Sequence, residues 1–399
     1  MRSISFLGAG LYSNAAKFFS YIFLCSFIVA CSGSVPRNAV PGHLADAANI
    51  AGMPSSIRIW GDELPQNFDE IVFKKIAQMK QRSYGSGRPR ITSSLAISGG
   101  SDKGAFGAGL LNGWSDHGSR PEFEIVTGVS TGALIAPFAY LGSAWDDELE
   151  QAYTSIKATN IFRPAPFPGT SIASNKPLAN LIAGFLDEDM LAEIAARHSM
   201  GYRLLIGTTN LDAQRPVIWD IGEIASTGHP DALQLIRDIL LASSAIPGAF
   251  PPTRIDVVVD GKSYTEYHVD GGVTQQVFMY PTQINPDRYY HRLGYKPTSR
   301  IYVIRNGKIE PEYLVTKNGL LKIAARSVGT LIKFQGTGDL RTIYSRLRNS
   351  KAEYRLAYIS PEFDTSDGGQ FDQDFMIRLY NFAYEQAKNG YPWDMRPPL

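Results

Sequence analysis

The chain has 399 residues, 44% of them hydrophobic and 19% charged, which is enough apolar material for one large domain or two small ones. A formal net charge of +1 excludes a broadly basic surface for nucleic acid, and no acidic tail is present. The class of function has to come from motifs.

Residues 1–30 read as a signal peptide. Arg2 and Lys17 are its only charges, and the apolar run Phe18 to Ala30 is too short to span a bilayer. Ile28-Val29-Ala30-Cys31 is similar to a bacterial lipobox, which implies cleavage before Cys31 and lipidation of its sulfur. The mature chain then has 37 basic and 38 acidic residues and no free thiol, since Cys25 leaves with the leader. With Ser32 rather than Asp behind the cysteine, the expected location is the cell envelope, anchored by lipid at the outer membrane. Residues 31–56 are small, polar and punctuated by Gly33, Pro36, Pro41, Gly42 and Gly52, as a flexible tether is. The fold is expected to begin near Ile57.

Helical spacing over 69–82 is closed by the loop Ser83 to Gly87. Leu95 to Ser98 reads as a short buried strand, followed by the glycine-rich run Gly99 to Gly109 and an apolar helix through Leu110, Leu111 and Trp114. A glycine-rich loop between strand and helix binds anions, because amides converge there and the helix dipole adds to them. This one matches neither of the spacings G-x-x-x-x-G-K-[ST] and G-x-G-x-x-G, so nucleotide is not its ligand. An oxyanion hole is the better role. The small residues after Lys103 are expected to let the helix pack closely.

A strand over 122–126 leads into Gly128-Val-Ser-Thr-Gly132, a G-x-S-x-G nucleophile elbow with Ser130 at the bend, and a helix follows from Ala133. Gly128 and Gly132 give the room that such a reversal needs. Further on, helices are read at 146–158 and 178–197, with a loop at 160–175 bordering the cleft. Strands are read at 203–210 and 216–219. An apolar helix from Pro230 stops at Ala242 to Pro252, and Asp260-Gly261 signals a hairpin between 255–259 and 263–269. That hairpin runs into Asp270-Gly271-Gly272. The remainder reads as strand 300–305, helices 319–334 and 339–354, strand 355–360 and helix 375–388, so the chain alternates as an α/β fold does. Asp364 to Gly369 lacks the residues of a calcium loop and reads as a surface turn. No metal or cofactor is expected.

Ser98-Gly-Gly-x-x-x-Gly104, Gly128-Val-Ser-Thr-Gly132 and Asp270-Gly271-Gly272, in this order, resemble the patatin-like phospholipase family of Ser/Asp lipid acyl hydrolases. The resemblance spans about 92–280 and implies a three-layer α/β fold with a central, mostly parallel sheet flanked by helices. Residues 57–399 would then be the catalytic domain with a C-terminal helical extension. It also implies Ser130 as nucleophile, Asp270 as its base, the amides around Gly99, Gly100 and Ser101 as oxyanion hole, and a phospholipid or other lipid ester as substrate. Ser101 stands where the family has a third glycine; Lys103 matches the family's basic residue.

The residues alone leave alternatives open. Serine needs a base, and in a triad that base is histidine. None of His43, His117, His198, His229, His268 and His291 has a convincing motif, although His268 alternates with Asp270 on one strand. An α/β-hydrolase triad calling on His291, or a non-catalytic lipid-binding lipoprotein, are the competing readings. Oligomeric state is not legible.

Overall fold

The computed structural model describes residues 37–64, 68–83, 91–165, 171–279, 291, 298–348, 352–365 and 370–397. The leader, Cys31, the loop after residue 83 and the turn at 366–369 lie outside them. In chain order the elements are β1 (Arg58–Trp60), α1 (Phe68–Ser83), β2 (Ile91–Ile97), α2 (Gly104–Asp116), β3 (Ile125–Val129), α3 (Thr131–Leu141) and α4 (Asp146–Thr154). There follow α5 (Lys176–Phe185), α6 (Glu188–Ser199), β4 (Arg203–Asn210), β5 (Arg215–Asp220), α7 (Ile221–Ala225) and α8 (Ala232–Ser243). The hairpin β6 (Thr253–Val259) and β7 (Lys262–Asp270) precedes β8 (Thr298–Arg305), α9 (Leu320–Leu347), β9 (Glu353–Tyr358) and α10 (Gln373–Lys388).

Two kinds of strand decide the architecture. β2, β3 and β4 are buried almost throughout, as strands covered on both faces must be. β6 instead alternates buried and exposed residues, the pattern of an antiparallel strand with one wet face. The main sheet runs β1-β5-β4-β3-β2-β8-β9, and from β4 to β9 its pairings are parallel. β5, β1 and the β6–β7 hairpin join antiparallel. Asp260 and Gly261 both have positive φ, 49° and 76°, which suits the two-residue turn of that hairpin.

Side-chain alternation along β2 separates the layers. Leu95 and Ile97 join the large core with residues of α2, α3, α8 and α10. Ala96 points the other way, into a second cluster with Val277, Met279, Leu340 and Ile343. Helices therefore cover both faces, and the expected three-layer fold with a parallel sheet centre is the observed one.

Three sequence expectations change. The stretch 178–197 is two helices, because the side chain of Asp187 caps a new start by accepting from the Met190 amide at 2.9 Å. The helices read at 319–334 and 339–354 are one, α9, which runs through Gly336 and Gly338. Gly336 is there for space, since a Cβ would lie 2.6 Å from Nη1 of Arg305. The tether is shorter than 31–56. Ala48, Ile50, Met53 and Ile57 are buried in the main core, and Asn49 exchanges backbone hydrogen bonds of 3.1 and 2.7 Å with Val258. An apolar residue at every second or third position made this segment foldable despite its prolines and glycines.

The small residues of α2 do permit close packing. At Gly109 and Gly113 an added Cβ would come within 2.1 Å of the carbonyl oxygens of Tyr380 and Tyr384 on α10. Alanine favours a helix over glycine by about 1 kcal/mol, so Gly329→Ala, with nothing within 4 Å, should stabilise by about that amount. Gly109→Ala should destabilise by more than about 1 kcal/mol, since backbone must move apart. Urea unfolding of the two variants should show opposite signs.

Candidate active site

β4 carries two partners on the same edge. Ile125↔Arg203 through Val129↔Gly207 pair it with β3, and the next residue pairs with β7 as Thr208↔Asp270. β3 ends where β7 arrives. Ser130, the residue after β3, and Asp270, the last of β7, are thus brought together although 140 positions separate them. The Ser130 hydroxyl donates to Oδ2 of Asp270 at 2.7 Å, and the Gly272 amide donates to Oδ1 at 2.7 Å.

Ser130 bends the chain at φ 55°, ψ −126°, a strained conformation for a residue with a Cβ. Its surroundings hold it there. Its amide donates to Oγ of Ser243 at 2.9 Å, and that hydroxyl donates to the Gly207 carbonyl at 2.7 Å. The Asp270 amide donates to the Ala245 carbonyl at 3.0 Å, so the end of α8 ties both residues down. Crowding explains the motif glycines. An added Cβ would come within 2.2–2.4 Å of another atom at Gly104, Gly128, Gly132, Gly271 and Gly272.

Burial is the main influence on Asp270. It pushes the carboxyl up to about 6, against the downward pull of the Ser130 hydroxyl and the Gly272 amide. At neutral pH the group is ionised yet a stronger base than a free aspartate.

The glycine-rich loop lies beside Ser130: a Cβ on Gly99 would be 3.1 Å from that of Ser130. Not all of its amides are available. The Gly99 amide donates to the Gln276 carbonyl at 3.1 Å, whereas those of Gly100 and Ser101 donate to no acceptor among the described residues. Gly100 passes so close to the Asn306 carbonyl that a Cβ would lie 2.2 Å from its oxygen. Ser101 has φ 58°, a left-handed position that costs a residue with a Cβ roughly 1 kcal/mol. The departure from glycine is therefore a strain, and the backbone still reaches the conformation. Lys103, half-exposed, faces Glu312 at 3.9 Å.

Three residues of this site escaped sequence reading. Asn306, at the end of β8, donates from its side chain to the Ser98 carbonyl at 2.9 Å and accepts from the Gly107 amide at 3.1 Å. Gln276 joins the Asp270 turn to the loop, because its side chain donates to the Gly272 carbonyl at 2.8 Å while its own carbonyl holds Gly99. Ser243 is the third. A polar residue just past a buried strand, as Asn306 is, was the one signal available, since ligands of α/β sheets bind at the carboxyl ends of strands.

Histidine is not at this centre among the described contacts. Trp219 donates to Thr208, whose hydroxyl meets Nδ1 of His268 at 2.9 Å, and Nε2 of His268 meets Glu266 at 2.9 Å. Arg58 completes the buried group with two hydrogen bonds to Glu266. Burial holds the His268 ring below its ordinary pKa. His117, His198 and His229 engage Ser119, Asp220 and Asp231. His291 stands between segments outside the described residues.

The Patatin-like phospholipase family profile matches residues 95–281, the span that contains all three motifs. This chain carries a patatin-like phospholipase domain over those residues. That places it among the lipid acyl hydrolases in general terms, and the patatin-like segment coincides with the sheet strands and turns that join Ser130 to Asp270. No curated protein sequence matches the chain. Among solved structures it is similar to VipD from Legionella pneumophila, with 12% identity, 76% of this chain and 68% of that one covered, and a TM-score of 0.37.

A carboxyl at about 6 in the fold and 3.8 in the unfolded chain binds its proton more tightly when folded. Its contribution to stability is complete below about pH 4 and is lost as pH rises through about 6. Asp270→Asn carries no such loss, so at pH 8 it should be more stable than the parent by up to about 3 kcal/mol, and no more stable at pH 4. Urea unfolding at the two pH values measures this; an equal difference at both would mean that Asp270 is not held in so dry a site.

Proposed function

We propose that the protein hydrolyses carboxylic esters of phospholipids or related lipids through a Ser130–Asp270 dyad. The observation that carries this reading is the 2.7 Å hydrogen bond from the Ser130 hydroxyl to a buried carboxylate of raised basicity. Oγ attacks the ester carbonyl while Oδ2 of Asp270 takes the serine proton. Charge then develops on the carbonyl oxygen, where the free amides of Gly100 and Ser101 are the donors; a single such donor contributes roughly 3–4 kcal/mol in measured cases. Collapse expels the alcohol, which leaves with the proton from Asp270. Water repeats the sequence on the acyl-serine, with Asp270 again as base, and frees the fatty acid.

Ser130→Ala should lower hydrolysis of a soluble ester at least about 10³-fold, and Asp270→Asn nearly as much, because residues that act as a unit are not additive. A fluorophosphonate probe should label the parent and not Ser130→Ala. Parent activity should rise with pH around a midpoint of about 6, since the base works only when deprotonated. Equal probe labelling of parent and Ser130→Ala would falsify the assignment of the nucleophile.

We further propose that Cys31 carries lipid and anchors the domain in the cell envelope, at the outer membrane. Cys31 stands only 17 positions in sequence before the buried Ala48, so a lipid on it would keep the enzyme close to lipid substrate. Washed with high salt, membranes should release Cys31→Ser and retain the parent, and hydrolysis of a short soluble ester should be unchanged. Continued sedimentation with membranes would place the membrane affinity elsewhere in the chain.

A further inference from the structure

α9 has two halves of different character. From Leu340 its side chains enter the second core cluster, with Leu340 and Ile343 buried. Before that, Leu320, Ile323, Val328, Leu331 and Phe334 are 51–85% exposed. At 100° per residue these five fall on one stripe of the helix, whereas Lys322, Arg326 and Lys333 fall opposite. The polar side touches the protein at two points, and Lys322 is exposed. Arg326 donates to the Glu312 carbonyl at 2.6 Å, and Lys333 meets the Glu312 carboxylate at 3.1 Å. The apolar stripe is left facing outwards, and Tyr313, Leu314 and Val315, just ahead of the helix, are exposed as well.

This surface is tied to the catalytic turn. Oδ2 of Asp339 on α9 accepts from the amides of Gln276 and Val277 at 2.7 and 3.3 Å. Gln335 donates to the Val273 carbonyl at 3.5 Å, and Val273, three residues past Asp270, is itself 47% exposed. Its charge also has one sign. From Tyr313 to Gly338 there are four cations, Lys317, Lys322, Arg326 and Lys333, and no acidic residue, in a chain whose overall charge is only +1. Among the described residues no helix is long and apolar enough to cross a membrane. An exposed apolar stripe in a cationic segment too polar to span a bilayer lies in its headgroup layer.

We infer that residues 313–334 dock on an anionic phospholipid bilayer and seat the mouth of the Ser130 site against it. The docking surface gives the proposed lipid hydrolase its substrate in place, so its purpose rests on that reading, but its test does not. Full-length protein carrying Cys31→Ser, to remove the lipid, and Ser130→Ala, to prevent hydrolysis, is sedimented with vesicles of phosphatidylcholine alone or mixed with phosphatidylglycerol. Binding should be at least about tenfold tighter to the anionic vesicles. Adding Leu331→Ser and Phe334→Ser should reduce that binding about tenfold or more, and Lys322→Glu should reduce it on anionic vesicles only. All three positions are exposed or face outwards, so unfolding temperature should not change, and with Ser130 restored neither set should alter hydrolysis of a short soluble ester. The inference is overturned if the serine pair binds vesicles as the parent does. It is equally overturned if the parent ignores vesicles and light scattering shows a dimer that the serine pair dissociates, because the stripe is then a contact between copies. Failure of the parent on the soluble ester would instead count against the hydrolase reading.

Discussion

The exchange of partners along one edge of β4 is the constraint on which the site depends. β3 occupies that edge up to Gly207 and β7 takes it from Thr208, so the strand acts as a splint between a parallel neighbour and an antiparallel one. Backbone pairing is directional and periodic, which makes the register hard to slip without turning buried side chains outwards. The distance from serine to carboxylate is therefore set by main-chain hydrogen bonds rather than by flexible side chains. Gly207 and Gly271 pass each other at the junction, where a Cβ on Gly271 would lie 2.4 Å from the Gly207 carbonyl oxygen.

Around this splint the fold carries local costs. Ser130 and Ser101 both hold positive φ, and Asp270 is buried without a cation beside it. Each feature is supported by groups that do no chemistry of their own. Ser243 and Ala245 fix the elbow and the aspartate, and Asn306 and Gln276 fix the loop. A proton acceptor of raised basicity exists because the site is dry, and the same dryness disfavours the charged form. Stability and reactivity thus oppose each other at one residue. Histidine, the usual solution, is present on the same strand but is spent on a buried network with Glu266, Arg58 and Thr208.

What was legible in the sequence follows from where the information is local. Ser130, Asp270 and the crowded glycines sit in short motifs whose composition reports a backbone shape, and the buried runs of β2, β3 and β4 announce a covered sheet. The Asp260-Gly261 turn was legible for the same reason. Asn306 and Gln276 were not, since each acts across more than a hundred residues with no pattern around it, and Ser243 stood in the family-like helix end at 242–252 with nothing local to mark its own role. Glycine misled in both directions. At Gly336 it marks a close approach to Arg305 inside a continuous helix, and in 39–56 glycines and prolines punctuate a segment that nonetheless buries Ala48, Ile50 and Met53. The commitment of the Gly99 amide to Gln276 is likewise a long-range fact, and it leaves Gly100 and Ser101 as the loop amides with no acceptor among the described residues.

The length of α9 gives its outer half mechanical meaning. A helix ending at residue 334 would have been a loose arm, connected to the rest by a flexible glycine pair. Because the hydrogen-bonded turns continue through Gly336 and Gly338 into the core at Leu340, the exposed stripe and the Asp339 carboxylate belong to one rigid element. Asp339 holds Gln276, and Gln276 holds both the Gly272 carbonyl and the Gly99 amide. Anything that fixes the outer half of α9 therefore orients the aspartate turn and the glycine loop as one body, with no hinge among these described contacts to absorb the motion.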